Sequence, residues 1–120
     1  MEWAIPFSKE EVNCNCGCGF AIMVEPFVNR LVAARFQCEY AFKIRSWCRC
    51  RKWNIEVGGT ILSSHLKGLA VDIEVEKSRE RFGILKSLIL AGFDRFIIGP
   101  DYIHVDDDDV KVHGILIIKA

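Results

Sequence analysis

The residues best suited to chemistry near neutral pH are three histidines and a few spaced carboxylates. His65 precedes Ala70-Val71-Asp72-Ile73-Glu74-Val75, where apolar and acidic residues alternate. A strand there puts Val71, Ile73 and Val75 on one face and Asp72 and Glu74 on the other. Tyr102 to Asp106 alternates likewise, with Ile103 and Val105 opposing Tyr102, His104 and Asp106. Paired side by side in a suitable register, these strands bring Asp72 and His104 within about 5 Å, Cβ to Cβ, near enough to share an ion. His65 then enters from the loop before the first of them. Two imidazoles and one carboxylate are the donors of many catalytic zinc sites, since three protein ligands leave a fourth position for water or a substrate carbonyl. Zinc held in this way lowers the pKa of its water toward ~7 and polarises the carbonyl under attack.

Such chemistry also needs a proton acceptor. Asp101, three residues before His104 beside Pro100, is the candidate base, and Asp106 is placed to accept the second imidazole N–H of His104 and fix the ring. Ser63, just ahead of His65, joins Asp106 as a supporting residue. Trp47, Trp53 and Tyr102 are candidates to line a substrate groove, with packing an equal alternative for the tryptophans. His113 has no such context and reads as structural or exposed, and the run Asp106 to Asp109 reads as a solvated turn. The six cysteines fall as Cys14, Cys16 and Cys18, then Cys38, then Cys48 and Cys50. Their Cys-x-Cys spacing leaves disulfides, a thiolate metal site and free thiols open.

The elements that must position these residues are legible in outline. Ser8-Lys9-Glu10-Glu11 has the form of a capping box and predicts a short helical turn before the glycine- and cysteine-rich loop Asn13 to Gly19. Phe27, Leu31, Ala34 and Cys38 recur at helical spacing, predicting a helix from Glu25 to about Cys38 entered through Pro26. Ser78 to Leu90 is a second helix, with Phe82, Leu85 and Ile89 along one side and Gly92 at its stop. Further strands are expected at Ala41 to Ser46, Phe93 to Ile98 and Val112 to Lys119, with a long loop running to Gly58-Gly59. This order predicts an α+β domain with a small, mainly antiparallel sheet and two main helices, residues 1–120 forming a single domain and a monomer.

Composition narrows the partners. Lys+Arg and Asp+Glu both number 16, so no net field draws in polyanions, and nucleic acid is not expected as a partner. The apolar stretches around Phe20 to Val28 and Gly83 to Phe93 are broken by Glu25-Pro26 and by Lys86, so no membrane span is expected. Met1-Glu2-Trp3-Ala4-Ile5-Pro6 lacks the basic and apolar regions of a secretory signal, which predicts synthesis in the cytoplasm.

The segment Ser63-Ser64-His65-Leu66-Lys67-Gly68-Leu69-Ala70-Val71-Asp72 matches Ser-x-His-x-x-Gly-x-Ala-x-Asp, and Ile103-His104-Val105-Asp106 matches a later His-x-Asp element. Together they resemble the zinc D-Ala-D-Ala carboxypeptidases, the M15 peptidases, whose fold is shared with the Hedgehog signalling domain. Upstream, Ile44 to Cys50 resembles that family's Ile-Thr-Ser-Gly-Tyr-Arg segment, and Asn54 to Gly59 its Asn-x-x-Val-Gly-Gly. The opening Phe7 to Glu11 and the cysteine-glycine loop are similar to small phage and bacterial members. The resemblance implies Zn2+ on His65, Asp72 and His104, and Arg49, not Arg45, steadying substrate or the developing oxyanion. It also implies hydrolysis of peptidoglycan stem peptides, by a D,D-carboxypeptidase or an endolysin-type enzyme that reaches the cell wall on phage or prophage release. Trp47 and Cys48 stand where the family has Gly-Tyr, Trp53 where many relatives have histidine, and Asp101 fits the Asp-x-x-His form of some relatives. The rival readings are a catalytically silent, Hedgehog-like metal-binding recognition module and a structural metal protein built around the cysteines.

Overall fold

A computed structural model describes residues 6–119. The reading of the first residues as lacking a signal falls largely on residues 1–5, outside the described residues. Four helices and five strands follow in the order α1 (Lys9–Val12), α2 (Glu25–Gln37), β1 (Lys43–Ser46), α3 (Arg51–Glu56), β2 (Ala70–Glu74), α4 (Ser78–Leu90), β3 (Arg95–Ile98), β4 (Tyr102–Asp106) and β5 (Ile115–Ile118). This is the expected α+β class. No helix among the described residues is long and apolar enough to cross a membrane.

Local chemistry starts each helix. Ser8 Oγ accepts from the Glu11 amide at 3.1 Å while Glu11 Oε1 accepts from the Ser8 amide at 2.8 Å, so α1 carries the reciprocal cap. Pro26 sits in the first turn of α2, where its missing N–H costs no helical bond. From α2, Phe27, Val28, Leu31 and Ala34 face the core. In α4 the inward residues are Ile84 and Leu88 with Leu85 beside them, whereas Phe82 and Ile89 of the expected stripe are 69% and 52% exposed. The segment Ile84 to Leu90 is apolar almost all round, so periodicity alone does not say which side turns inward.

The sheet runs β1-β2-β4-β3-β5, antiparallel throughout except that β5 lies parallel to β3. Val71 and Ile73 of β2 and Ile103 and Val105 of β4 join the buried core, where an aromatic chain links Phe7, Trp47, Phe27 and Phe93 edge to face. Each fully buried aliphatic side chain there contributes on the order of 2 kcal/mol of transfer free energy. Because β2 and β4 keep strict alternation, burying one face leaves Asp72, Glu74, Tyr102 and His104 on the other.

Candidate metal centre

The register decides what the polar face can do. Asp72 is paired directly with His104 across β2 and β4, and with Ser46 across β1, where a bulge between Ile44 and Ser46 shifts the ladder. His65 arrives on a 3-10 turn, Ser64–Lys67, begun by Ser63, whose hydroxyl accepts from the His65 amide at 3.3 Å. That turn stops at Gly68, which has φ of 70° and lies where a Cβ would collide with the Ile22 carbonyl. Only glycine meets both demands, which is the local reason for the spacing from His65 to the strand. One ligand atom each from His65, Asp72 and His104 lies within 4.8 Å of the others.

The hydrogen bonds around the two imidazoles fix which atoms face inward. His65 Nδ1 is 2.6 Å from the Trp47 carbonyl, which only accepts, so the proton is on Nδ1 and Nε2 presents a lone pair. That Nε2 is buried without a hydrogen-bond partner and stands 3.3 Å from Asp72 Oδ1. A buried lone pair aimed at a carboxylate oxygen is repulsive unless a cation lies between them. His104 Nδ1 is 2.9 Å from the same Asp72 Oδ1, and its Nε2 is 2.8 Å from Asp106 Oδ2. The Asp106 contact is the carboxylate–histidine pairing that orients metal-ligating imidazoles. His65 Nε2, Asp72 Oδ1 and His104 Nδ1 therefore fit a divalent cation, with both rings held from behind.

Electrostatics agree with a site built for positive charge. Burial opposes the charged form of His104, but its hydrogen bonds to Asp106 and Asp72 outweigh that and raise its pKa. Burial likewise opposes ionisation of Asp72, yet His104 and His65 hold its carboxyl well below the usual carboxylate range. Asp106 is also depressed, its burial overcome first by the bond to His104 and then by Arg95, whose Nε lies 3.0 Å from Oδ2. Arg49 donates to Asp72 Oδ2 at 3.3 Å, to Ser46 Oγ at 3.2 Å and to Asn54 Oδ1 at 3.4 Å. The two oxygens of Asp72 thus divide their work, Oδ1 toward the imidazoles and Oδ2 toward the guanidinium. A cleft of about 330 Å³ opens over this face, with Arg49, Lys111 and Lys119 among its lining residues.

A family model described as peptidase M15 matches residues 6–106, a span that holds His65, Asp72, His104, Asp106 and Arg49. The chain belongs to the peptidase M15 family. A comparison with curated proteins returned no match. Peptidases of the M15 family are metal-dependent, and the His65, Asp72 and His104 group gives this M15 chain a place for the ion.

The other candidates of this M15 chain divide between the cleft and the rest of the molecule. Asp101 is not among the residues lining the cleft: its carboxylate is 62% exposed and pairs with Arg45 at 3.2 Å, a bond that holds its pKa down. Tyr102 does line the cleft. Trp47 does not line a groove; it is 1% exposed, packed on Phe7 and Phe27, with Nε1 donating to the Gly68 carbonyl at 3.2 Å. Its backbone carbonyl is what touches His65, so it supports the site from the core. Trp53 borders a separate opening beside the cysteine loop. His113 bridges Asp94 Oδ1 and the Asp108 carbonyl.

The acidic run is not a solvated turn. Asp106 and Asp108 are 1% and 0% exposed, and Asp107 pairs with Arg30 at 2.8 Å. Asp108 accepts from Ser64 Oγ at 2.9 Å and from Lys67 Nζ at 3.0 Å, tying the acidic segment to the turn that carries His65. Reasoning from sequence missed Asp108 because a run of aspartates carries no local sign that distant cations will cover it. The cysteines divide as well. None of the six forms a disulfide. Cys48 is buried against the backbone of Ile22, while Cys14, Cys16, Cys18 and Cys50 gather together.

Proposed function

We propose that this M15 peptidase is a zinc enzyme that hydrolyses peptide bonds in the stem peptides of peptidoglycan, acting on peptides that end in a free carboxylate. The observation that carries the metal assignment is the partnerless, buried Nε2 of His65 facing Asp72 Oδ1, a contact that needs a cation. Zinc suits two imidazoles and one carboxylate, and when bound it supplies a polarised carbonyl and a water of lowered pKa.

The chain's own residues carry the remaining roles. Trp47 and Asp106 hold the two imidazoles so that each turns one lone pair inward. Arg49 is fixed by Ser46, Asn54 and Asp72 and still has donors to spare among the five N–H groups of a guanidinium, so it can meet an oxyanion without reorganising. Lys111 and Lys119 add positive charge to the cleft, which favours a substrate carboxylate there. For the proton acceptor we assign Asp101, on the turn into β4. Asp106 is committed to His104 and Arg95, whereas Asp101 is open to solvent and would have to leave its Arg45 partner and turn toward the cleft to serve.

The test is turnover. Zinc-loaded protein incubated with purified peptidoglycan or short D-alanyl peptides should release fragments with new amino termini, read by mass spectrometry. His65→Ala and Asp101→Ala should both abolish release, and amidating the peptide's terminal carboxylate should slow it. Release that survives both substitutions would remove the mechanism. Tight binding without release would instead favour a silent recognition module.

A further inference from the structure

Away from the cleft, Cys14, Cys16, Cys18 and Cys50 form a second group whose sulfurs all lie within 4.8 Å of one another. We propose that these four thiols bind a second zinc ion, tetrahedrally and with no open position, which clamps the N-terminal loop onto the segment carrying Arg49.

Sulfurs around one zinc at about 2.3 Å stand about 3.8 Å apart at the edges of a tetrahedron. Here Cys14 Sγ is 3.4 Å from Cys16 Sγ and 3.7 Å from Cys50 Sγ, and Cys16 Sγ is 3.7 Å from Cys50 Sγ. Four sulfurs around one point suit a cation better than they suit disulfides. Three of them sit at alternate positions of one short loop, where a Cys-x-Cys bridge would close a very small ring, and Cys50 can bond to only one of the three.

The backbone also points at the sulfurs. The Cys50 amide donates to Cys14 Sγ at 3.3 Å and the Trp53 amide donates to Cys50 Sγ at 3.4 Å, as N–H groups do where sulfur carries negative charge. Gly17 and Gly19, with φ of 84° and 83°, let the loop curl so that alternate side chains converge. Coordination is balanced by proton release: each thiol yields its proton to solvent, and one dication with the four thiolates leaves a doubly negative centre. Lys52 borders the same opening and offsets part of that charge. Cys38 and Cys48 stand outside the group.

The location gives the clamp its purpose. Cys50 directly follows Arg49 and caps α3, whose Asn54 holds the Arg49 guanidinium. Cys14, Cys16 and Cys18 belong to the loop after α1. An ion bridging the two segments sets where Arg49 begins, without touching the cleft.

Metal counting on the full chain, purified with reductant and loaded with zinc, tests this. Two zinc ions per chain are expected, and one should remain in the His65→Ala/His104→Ala double variant. Cobalt(II) loaded into that variant should give an intense sulfur-to-metal charge-transfer band in the near ultraviolet. The band should persist in Cys38→Ser and vanish in Cys16→Ser/Cys18→Ser. If the cysteine variant does not fold, a mercurial titration of the wild-type chain reads the same site, since zinc should leave as the thiols are blocked. A double histidine variant without metal, cobalt spectra lacking thiolate bands, or a metal-free chain whose four thiols are oxidised would each overturn the proposal. Each is read without reference to peptidase activity.

Discussion

The histidine-aspartate group and the cysteine group are similar in size, each with its donor atoms within 4.8 Å, yet they are built from opposite materials. The first stands on two central strands. Its ligands are buried or half-buried, every imidazole has a second partner, and Asp72 is held by Arg49. The second stands on loops, with Cys16 and Cys18 exposed and the backbone amides of Cys50 and Trp53 directed at its sulfurs. The difference teaches that a metal centre can be organised before the ion arrives or by the ion itself. Sheet register and core packing pre-set the first. At the second, on the proposal above, an ion held by four sulfurs fills every position, which closes the site and makes it structural.

The largest effect that can break this comparison is expected at Asp72. Asp72→Ala removes a ligand and strands Arg49, and hydrolysis should fall about a thousandfold or more, equivalent to ~4 kcal/mol in the barrier. The chain should still fold around its core, as near-ultraviolet circular dichroism would show; unfolding of the apo variant would mean that this group, too, depends on its ion. Next comes Asp106→Ala, which frees the His104 ring from behind. Affinity for zinc should weaken by about 10–100-fold in a competition titration, and an unchanged affinity would contradict pre-organisation.

Asp108 sharpens the same point through stability. Burial works against its ionisation, but Lys67 and Ser64 hold its pKa below the ordinary value. A depressed carboxyl stabilises the fold above the pKa it has when unfolded, and that contribution is lost as pH falls through the folded value. Asp108→Asn should therefore cost about 2 kcal/mol in urea unfolding at neutral pH, with the gap to wild type closing in acid. The smallest effect is expected at Arg45→Ala, whose solvent-screened pairs with Glu74 and Asp101 should leave the urea midpoint nearly unchanged. Any larger change should appear in turnover, since Asp101 loses its resting partner.

Much of the candidate metal-binding face is legible in the sequence, because it depends on alternation. Asp72 and His104 each sit between apolar residues whose burial forces them outward, and the pairing of β2 with β4 follows the two matching patterns. The spans of α4 and the cap of α1 were legible for similar local reasons. What escaped depends on contacts distant in sequence. Trp47 occupies a loop, and only Phe7 and Phe27 closing over it make it core. Asp108 is covered by Lys67 and Ser64, far upstream. Helix α3 is six residues long and begins at a cysteine cap, so neither periodicity nor a usual capping residue marks it. The parallel pairing of β5 with β3 is set by where the acidic segment returns the chain, which no local pattern encodes.

The most direct test is a crystal of the zinc-soaked protein measured with anomalous scattering at the zinc absorption edge. The account predicts a peak bonded to His65 Nε2, Asp72 Oδ1 and His104 Nδ1 at about 2.0–2.2 Å, with a further position open to solvent. Full zinc occupancy at the cysteines with none at these three atoms, or an ion there whose coordination is completed by a fourth side chain, would contradict it.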